Sequence, residues 1–446
     1  MRRGEPRVAP TRSAGAVDGR TSRAALLPPA GTRDLVWPDS VRRRDLARAI
    51  LGVFAAHGYD LVTTPPFELE TVLARGLESV DPRDLLRFVE PDSGEVALLR
   101  PDITPQIARL VATRLADRPL PMRLCYEGSV LRRRRGRARR HRQIAQAGVE
   151  QIGIAGPEGD LEVIRLAVHC CRAVGLTTIR VELGHVALVR ATLRAVPEAA
   201  RGPIADAIGR KDAHELGALL EAARVPRAAR RRALGLVQLF GDADVIDTAA
   251  RTFTDPESRG AIAYLRRVAD GVRALGAGVA LGVDLGEARG ASYYTGVSFS
   301  LLAEGPGEPV GSGGRYDDLL SRFDAGAPAT GFALDLDNLE WALESAGIAR
   351  VGKNGPRIAV LGHGDRIERM AASLRERGAH AAIVSAREHD AALAFMRAWG
   401  YDAAVVATAT QWRVIPVGDG AEVRVDARGP GAAARVVAVA TSATKR

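Results

Sequence analysis

At 446 residues the chain has material for two or three domains, each large enough to close its own core. No run of about 18 apolar residues occurs, so no membrane-spanning helix is expected, and three cysteines without CxxC spacing (Cys125, Cys170, Cys171) exclude a disulfide framework and point to a reducing, cytoplasmic setting. A net charge of +10 and a pI near 10.1 invite a nucleic-acid reading. That reading weakens because 60 of the basic residues are Arg and only Lys211, Lys353 and Lys445 are Lys, as compositional bias over a solvated surface would produce. The basic cluster Arg132 to Arg142 is the part that asks for an explanation.

Residues 1–26 carry many Arg, few apolar residues and no periodicity, the pattern of a disordered tail. Its composition also fits a transit peptide, but no amphipathic face accompanies it. From Pro38, the spacing of Leu46, Ile50, Val53 and Phe54 predicts a helix that stops at Gly58, with His57 as a partner for the helix dipole. Tyr59 to Thr64 reads as a strand closed by Pro65-Pro66, and Leu69 to Gly76 as a second helix. Phe88 to Arg100 reads as a hairpin turning at Pro91-Asp-Ser-Gly94. Pro101-Asp-Ile-Thr-Pro105 then heads a helix reaching Leu115, with Asp102 or Thr104 either capping it or standing at the mouth of a pocket.

The stretch Leu124 to Gly153 places two short apolar arms around the Arg-rich segment, a hairpin with a long charged connection. In the second arm Gln146, Gly148 and Glu150 share one strand face. An acceptor and an amide separated by a glycine suit a polar ligand lying against backbone; taken alone, the same pattern fits an edge strand with a solvated polar face. Asp160 to Val174 reads as a helix carrying Cys170 and Cys171 in its core, Thr178 to Leu183 as a strand, and residues 186–277 as an inserted helical subdomain. A strand returns at Val279 to Leu285. Three glycine-containing blocks follow, at 286–299, 311–318 and 330–338, the last leading into a helix through Trp341. Beyond Pro356 strands and helices alternate, which predicts a small α/β domain over 357–446.

These blocks, in this order, resemble the class II histidyl-tRNA synthetases over residues 27 to about 345. Leu99-Arg-Pro-Asp-Ile-Thr104 is similar to that family's Leu-Arg-Pro-Glu-Gly-Thr block, and Leu124 to Gly153 to its motif 2. Arg289-Gly-Ala-Ser-Tyr-Tyr-Thr-Gly296 is similar to its histidine motif, Gly313-Gly-Arg-Tyr-Asp317 to its Gly-Gly-Arg-Tyr-Asp block, and residues 328–341 to its motif 3. The implied fold is α+β: a class II aminoacyl-tRNA synthetase-like antiparallel sheet with flanking helices over 27–350, a helical insertion at about 186–277, and a small C-terminal α/β domain resembling a degraded anticodon-binding domain.

The departures concern adenylate formation. Where the synthetase motif 2 has Arg followed two residues later by Glu, this chain has Arg132 and Arg134, and a cation in place of that carboxylate would repel a metal. Motif 3 has Asn338 where the family has a triphosphate-gripping Arg, and Asp335 where it has Gly. The amino-acid side of the pocket is largely retained, with Asp102 where the family has Glu and Ser292 where it has Asp. The resemblance implies that Asp102, Thr104 and Gln146 hold an α-amino group, Arg289 a carboxylate, and Glu150 with Tyr294 an imidazole; Arg132 and Tyr293 count with the same candidate histidine site.

A histidine pocket without adenylation residues resembles the ATP phosphoribosyltransferase regulatory subunits. That resemblance implies no catalysis, no cofactor and no metal. It also implies assembly as a homodimer within a hetero-oligomer with a short catalytic subunit, for the first step of L-histidine biosynthesis, and feedback through L-histidine. A divergent histidyl-tRNA synthetase and an RNA-binding paralogue using Arg132 to Arg142 are the competing readings; Ala404 to Ala409 offers tRNA neither a basic nor an aromatic stripe.

Overall fold

The computed structural model describes residues 26–77, 84–132, 142–287, 294–348, 355–385, 389–418, 420–428 and 431–444. The chain divides into two compact units, Met1–Val351 and Gly352–Arg446. The expected tail lies outside the described residues, apart from Leu26.

In the first unit, helix α1 (Asp39–Ala56) buries Leu46, Ile50 and Phe54, the stripe that its spacing required. Burying each such side chain is worth roughly 1.5–3 kcal/mol. The helix ends at Gly58, whose φ of +77° suits a residue without Cβ, and the His57 ring meets the Val53 carbonyl at 2.8 Å. Strand β1 (Asp60–Leu61) is shorter than the Tyr59–Thr64 expectation, because Pro65 and Pro66, which lack N–H donors, lead the chain away after Val62 bonds Cys125. Strand β2 (Phe67–Leu69) and the single turn α2 (Glu70–Leu73) replace the expected 69–76 helix. Strands β3 (Leu86–Val89) and β4 (Val96–Leu99) form the anticipated hairpin and complete a three-stranded sheet, β2-β4-β3. Helix α3 (Thr104–Thr113) follows.

Strands β5 (Met122–Leu131) and β6 (Gln143–Ile152) pair antiparallel over ten residues, Leu131 opposite Gln143. After α4 (Pro157–Ala173) and β7 (Ile179–His185) come the insertion helices α5 (Val186–Leu193), α6 (Glu198–Gly209), α7 (Ala213–Ala222) and α8 (Arg227–Val237). The two-residue strand β8 (Phe240–Gly241), which periodicity could not reveal, interrupts them before α9 (Val245–Thr252) and α10 (Pro256–Arg273). Strands β9 (Val279–Asp284), β10 (Val297–Leu302), β11 (Gly311–Arg315) and β12 (Ala329–Asp335) and helix α11 (Leu336–Ser345) end the unit. The nine-stranded sheet runs β1-β5-β6-β12-β11-β10-β7-β9-β8, antiparallel except at β1/β5 and β7/β9.

The register corrects one expectation: β6 is no edge strand with a solvated face, since β5 and β12 hold it on either side and nearly all of it is buried. Its odd-numbered Ala147 and Val149 join the core shared with α1 and α4, whereas Ile144 and Ile152 on the other face join Ile103, Ile107 and Val111 around α3. Glu150 and Gln146 therefore look toward the start of α3.

The second unit has a five-stranded sheet, β14-β13-β15-β16-β17, built from β13 (Arg357–Leu361), β14 (His380–Val384), β15 (Ala403–Ala407), β16 (Gln411–Pro416) and β17 (Val423–Asp426). Helices α12 (Asp365–Arg375) and α14 (Ala432–Thr444) cover one face through Met370, Leu374 and Val436. Helix α13 (His389–Ala398) covers the other through Met396. The terminal helix went unforeseen, because its Ala- and Val-rich sequence carries no sharp apolar stripe.

Candidate functional site

The site forms where β6 passes the start of α3. Thr104, the first residue of α3, donates its hydroxyl to Glu150 Oε1 at 2.6 Å, and Glu150 is only 2% exposed. Asp102 Oδ1 accepts the Thr104 backbone N–H at 3.1 Å, so it steadies the helix start while the Thr104 hydroxyl turns into the site. Glycines give the backbones their close approach. A Cβ on Gly331, which pairs with Glu150, would overlap Glu150 Oε2; one on Gly148 would come within 2.5 Å of the Tyr126 phenol oxygen. Gln146, buried on the same face, pairs with Gly128 of β5 and Asp335 of β12.

Burial drives the Glu150 carboxyl well above the usual carboxylate range; the field of Asp102 adds to this, and hydrogen bonds from Thr104 and Tyr126 oppose it. The surroundings of Glu150 thus favour its uncharged form. The Tyr294 phenol is also pushed up, by burial and then by Asp102 and Glu150, while Arg132 acts in the opposite direction. Tyr126 is raised by burial and by the same two carboxyl groups. Both phenols therefore keep their protons.

Of the residues singled out by sequence, Asp102, Thr104, Gln146, Glu150, Tyr294 and Arg132 gather around this pocket. Arg289 and Tyr293, like Arg134, lie outside the described residues. Tyr126 escaped the sequence reading, although pairing the hairpin arms sets it opposite Gly148 and beside Glu150. Arg100 also escaped it. Buried, it donates to the Ser129 carbonyl at 2.8 Å and to the Thr64 carbonyl and hydroxyl, each at 3.0 Å, so it ties the α3 entry to β5.

The motif 3 departures have local structural roles. Asp335 caps α11 by accepting the Asp337 and Asn338 backbone N–H groups at 3.0 and 3.1 Å, and Asn338 Nδ2 donates to the Pro309 carbonyl at 2.9 Å. Asp337 receives Arg33 and, at 2.5 Å, Arg43, which binds α1 and the preceding segment to α11. In the Gly-Gly-Arg-Tyr-Asp block, Arg315 is 4% exposed and faces inward. It pairs with Asp160 at 2.9 Å and Asp317 at 3.0 Å, and it donates to the Gly156 carbonyl at 2.9 Å.

Among the described residues no group of three or more His, Cys, Asp or Glu side chains is placed to hold a metal ion, and no helix is long and apolar enough to cross a membrane. The buried acid, phenols, amide and nearby carboxylate offer hydrogen-bond donors and acceptors to a small polar ligand.

A profile described as Histidyl-tRNA synthetase matches residues 31–339, and the large, mostly antiparallel sheet agrees with a class II histidyl-tRNA synthetase-like fold. Two relatives named ATP phosphoribosyltransferase regulatory subunit resemble the chain: one from Anaeromyxobacter dehalogenans, 43% identical over 329 residues (71% of this chain, 91% of the relative), and one from Geobacter sulfurreducens, 37% identical over 354 residues (78% and 81%). A crystal structure described as an ATP phosphoribosyltransferase regulatory subunit/histidyl-tRNA synthetase from Bacillus halodurans matches with a TM-score of 0.73 at 27% identity, covering 84% of this chain and 97% of that one. The chain belongs to the ATP phosphoribosyltransferase regulatory subunit family.

Proposed function

We propose that this regulatory subunit carries no chemistry of its own and binds L-histidine in the Thr104–Glu150 pocket. It would work with a short catalytic phosphoribosyltransferase at the first step of L-histidine biosynthesis, as a homodimer within a cytoplasmic hetero-oligomer and without a tRNA role. The 357–446 domain serves as a structural module. One observation carries the reading: a buried acid-and-phenol pocket sits beside a motif 3 segment whose Asp335 and Asn338 side chains are already engaged in holding α11 and Pro309.

In this reading Asp102, Thr104 and Gln146 take the ammonium group and Arg289 the carboxylate. Glu150 and Tyr294 meet the imidazole ring. Buried Glu150, whose surroundings favour its uncharged form, can pair with a ring nitrogen, and being left unpaired by a ligand lacking that nitrogen would count against the ligand. Regulation follows by linkage. Histidine must bind the inhibited assembly more tightly than the active one, by an amount commonly about 1–3 kcal/mol. Co-purification with a short phosphoribosyltransferase, together with no ATP–pyrophosphate exchange in the presence of histidine, is the expected result. Exchange at a synthetase's rate would overturn the non-catalytic assignment.

A further inference from the structure

The turn between α6 and α7 holds the only lysine among the described residues, in a chain with 60 Arg and three Lys. Lys211 sits just past the end of α6 with a φ of 59°, in the left-handed region where glycine is the usual choice. Its backbone closes the helix end by donating to the Ile208 carbonyl at 3.0 Å. Its side chain leaves the insertion and reaches the sheet, where Nζ meets Asp284 Oδ1 at 2.5 Å. The same oxygen accepts the Gly286 backbone N–H at 2.9 Å.

The ammonium lies so close under Gly286 that a Cβ there would fall 2.6 Å from Nζ and 3.2 Å from the Leu236 carbonyl. A compact point charge fits that space better than a planar guanidinium, which accounts for Lys against the chain's habit. A second strand of contact runs in parallel, since the Leu285 backbone donates to the Leu239 carbonyl of the insertion at 2.9 Å. Glu287 follows directly and packs over β7, 3.6 Å from where a Cβ on Gly184 would stand; Gly184 is in register with Ser298, and Ser298 with Gly314, where an added Cβ would lie 3.0 Å from the Tyr294 ring. The insertion therefore holds the chain just past β9, beside Glu287.

We propose that Lys211 is a positioning residue: through Asp284 and Gly286 it lets the helical insertion set the placement of Glu287 against the Tyr294 side of the pocket, so that histidine affinity depends on the insertion. This rests on the histidine reading of the pocket. Without the ammonium, Asp284 loses its partner and faces the half-buried Glu182 across β7 and β9 with less compensation.

Calorimetric titration of the full chain with L-histidine, beside thermal unfolding, tests it on wild type, Lys211→Met, Lys211→Gly and Asp284→Asn. Lys211→Met and Lys211→Gly should both weaken histidine binding about tenfold, within the usual range of coupling between sites. Lys211→Gly should unfold at a higher temperature than Lys211→Met, because glycine relieves the left-handed backbone. Affinity would then follow the ammonium while stability follows the backbone, a split that a merely structural residue would not give. Asp284→Asn should weaken binding by itself and add little to Lys211→Met. Wild-type affinity in both Lys211 variants, or affinity that tracks unfolding temperature across the set, overturns the proposal and leaves the pocket reading standing. A wild-type chain that does not bind histidine overturns both.

Discussion

The Thr104 hydroxyl donates to Glu150 Oε1 at 2.6 Å across the gap between α3 and β6, joining residues 46 positions apart in the chain. A buried acid with a donor already fixed on one oxygen is pre-organised to meet a ligand. Thr104→Val, nearly isosteric, should therefore raise the histidine dissociation constant by roughly five- to tenfold, the worth of about one hydrogen bond. Glu150→Gln should do at least as much, because an amide offers the Thr104 and Tyr126 hydroxyls one acceptor oxygen where the carboxyl has two. Calorimetry on both variants checks this; unchanged titrations would remove Glu150 from the site.

Arg289→Ala should weaken histidine binding by about 1.5–3 kcal/mol, since the ligand carboxylate loses its charged partner. The control is an analogue without the carboxylate, such as histamine, whose binding should be indifferent to the substitution. Equal losses for both ligands would contradict the assignment.

Arg315 predicts a stability effect instead. Burial works against its charge, but Asp160 outweighs this and holds the guanidinium firmly protonated. Arg315→Met would strand Asp160 inside the fold beside Tyr264, whose hydroxyl donates to it at 2.7 Å, and should cost about 3–5 kcal/mol. Urea unfolding of the variant measures the loss. A change below about 1 kcal/mol would show that water reaches Asp160.

His185 gives the first unit a pH dependence. Its Nδ1 accepts the Ala187 backbone N–H at 3.3 Å at the start of α5, and burial pushes its pKa down to about 4. The folded state thus refuses a proton that the unfolded chain accepts near pH 6.5. The stability from the neutral ring is present above about pH 6.5 and is lost as pH falls toward 4, up to roughly 3 kcal/mol. His185→Asn keeps a capping acceptor without the titration, so denaturant unfolding at pH 7 and pH 5 should show a flatter dependence in the variant.

How far these features could be read from sequence depended on the range of the interaction. The apolar stripe of α1 and the β3/β4 hairpin are local, and spacing revealed them. The polar alternation of Gln146, Gly148 and Glu150 was visible too, but alternation reports a polar face without saying whether water or a pocket covers it; that takes the β5 and β12 partners. Arg315 stood in a recognisable block, yet its partner Asp160 is 155 residues away. Nothing within the block shows that it acts as a clamp. Asp335 and Asn338 were noticed as losses, and only the geometry of α11 gave them work of their own.

The account is tested most directly by the rate of phosphoribosyl-ATP formation by the partner short phosphoribosyltransferase, measured with and without this chain across a histidine titration. The expected result is a higher rate when the chain is added, and inhibition by histidine that shifts to higher concentration when the added chain carries Glu150→Gln. A rate indifferent to the chain, or inhibition that Glu150→Gln leaves untouched, would contradict the claim that this pocket reads histidine for the complex.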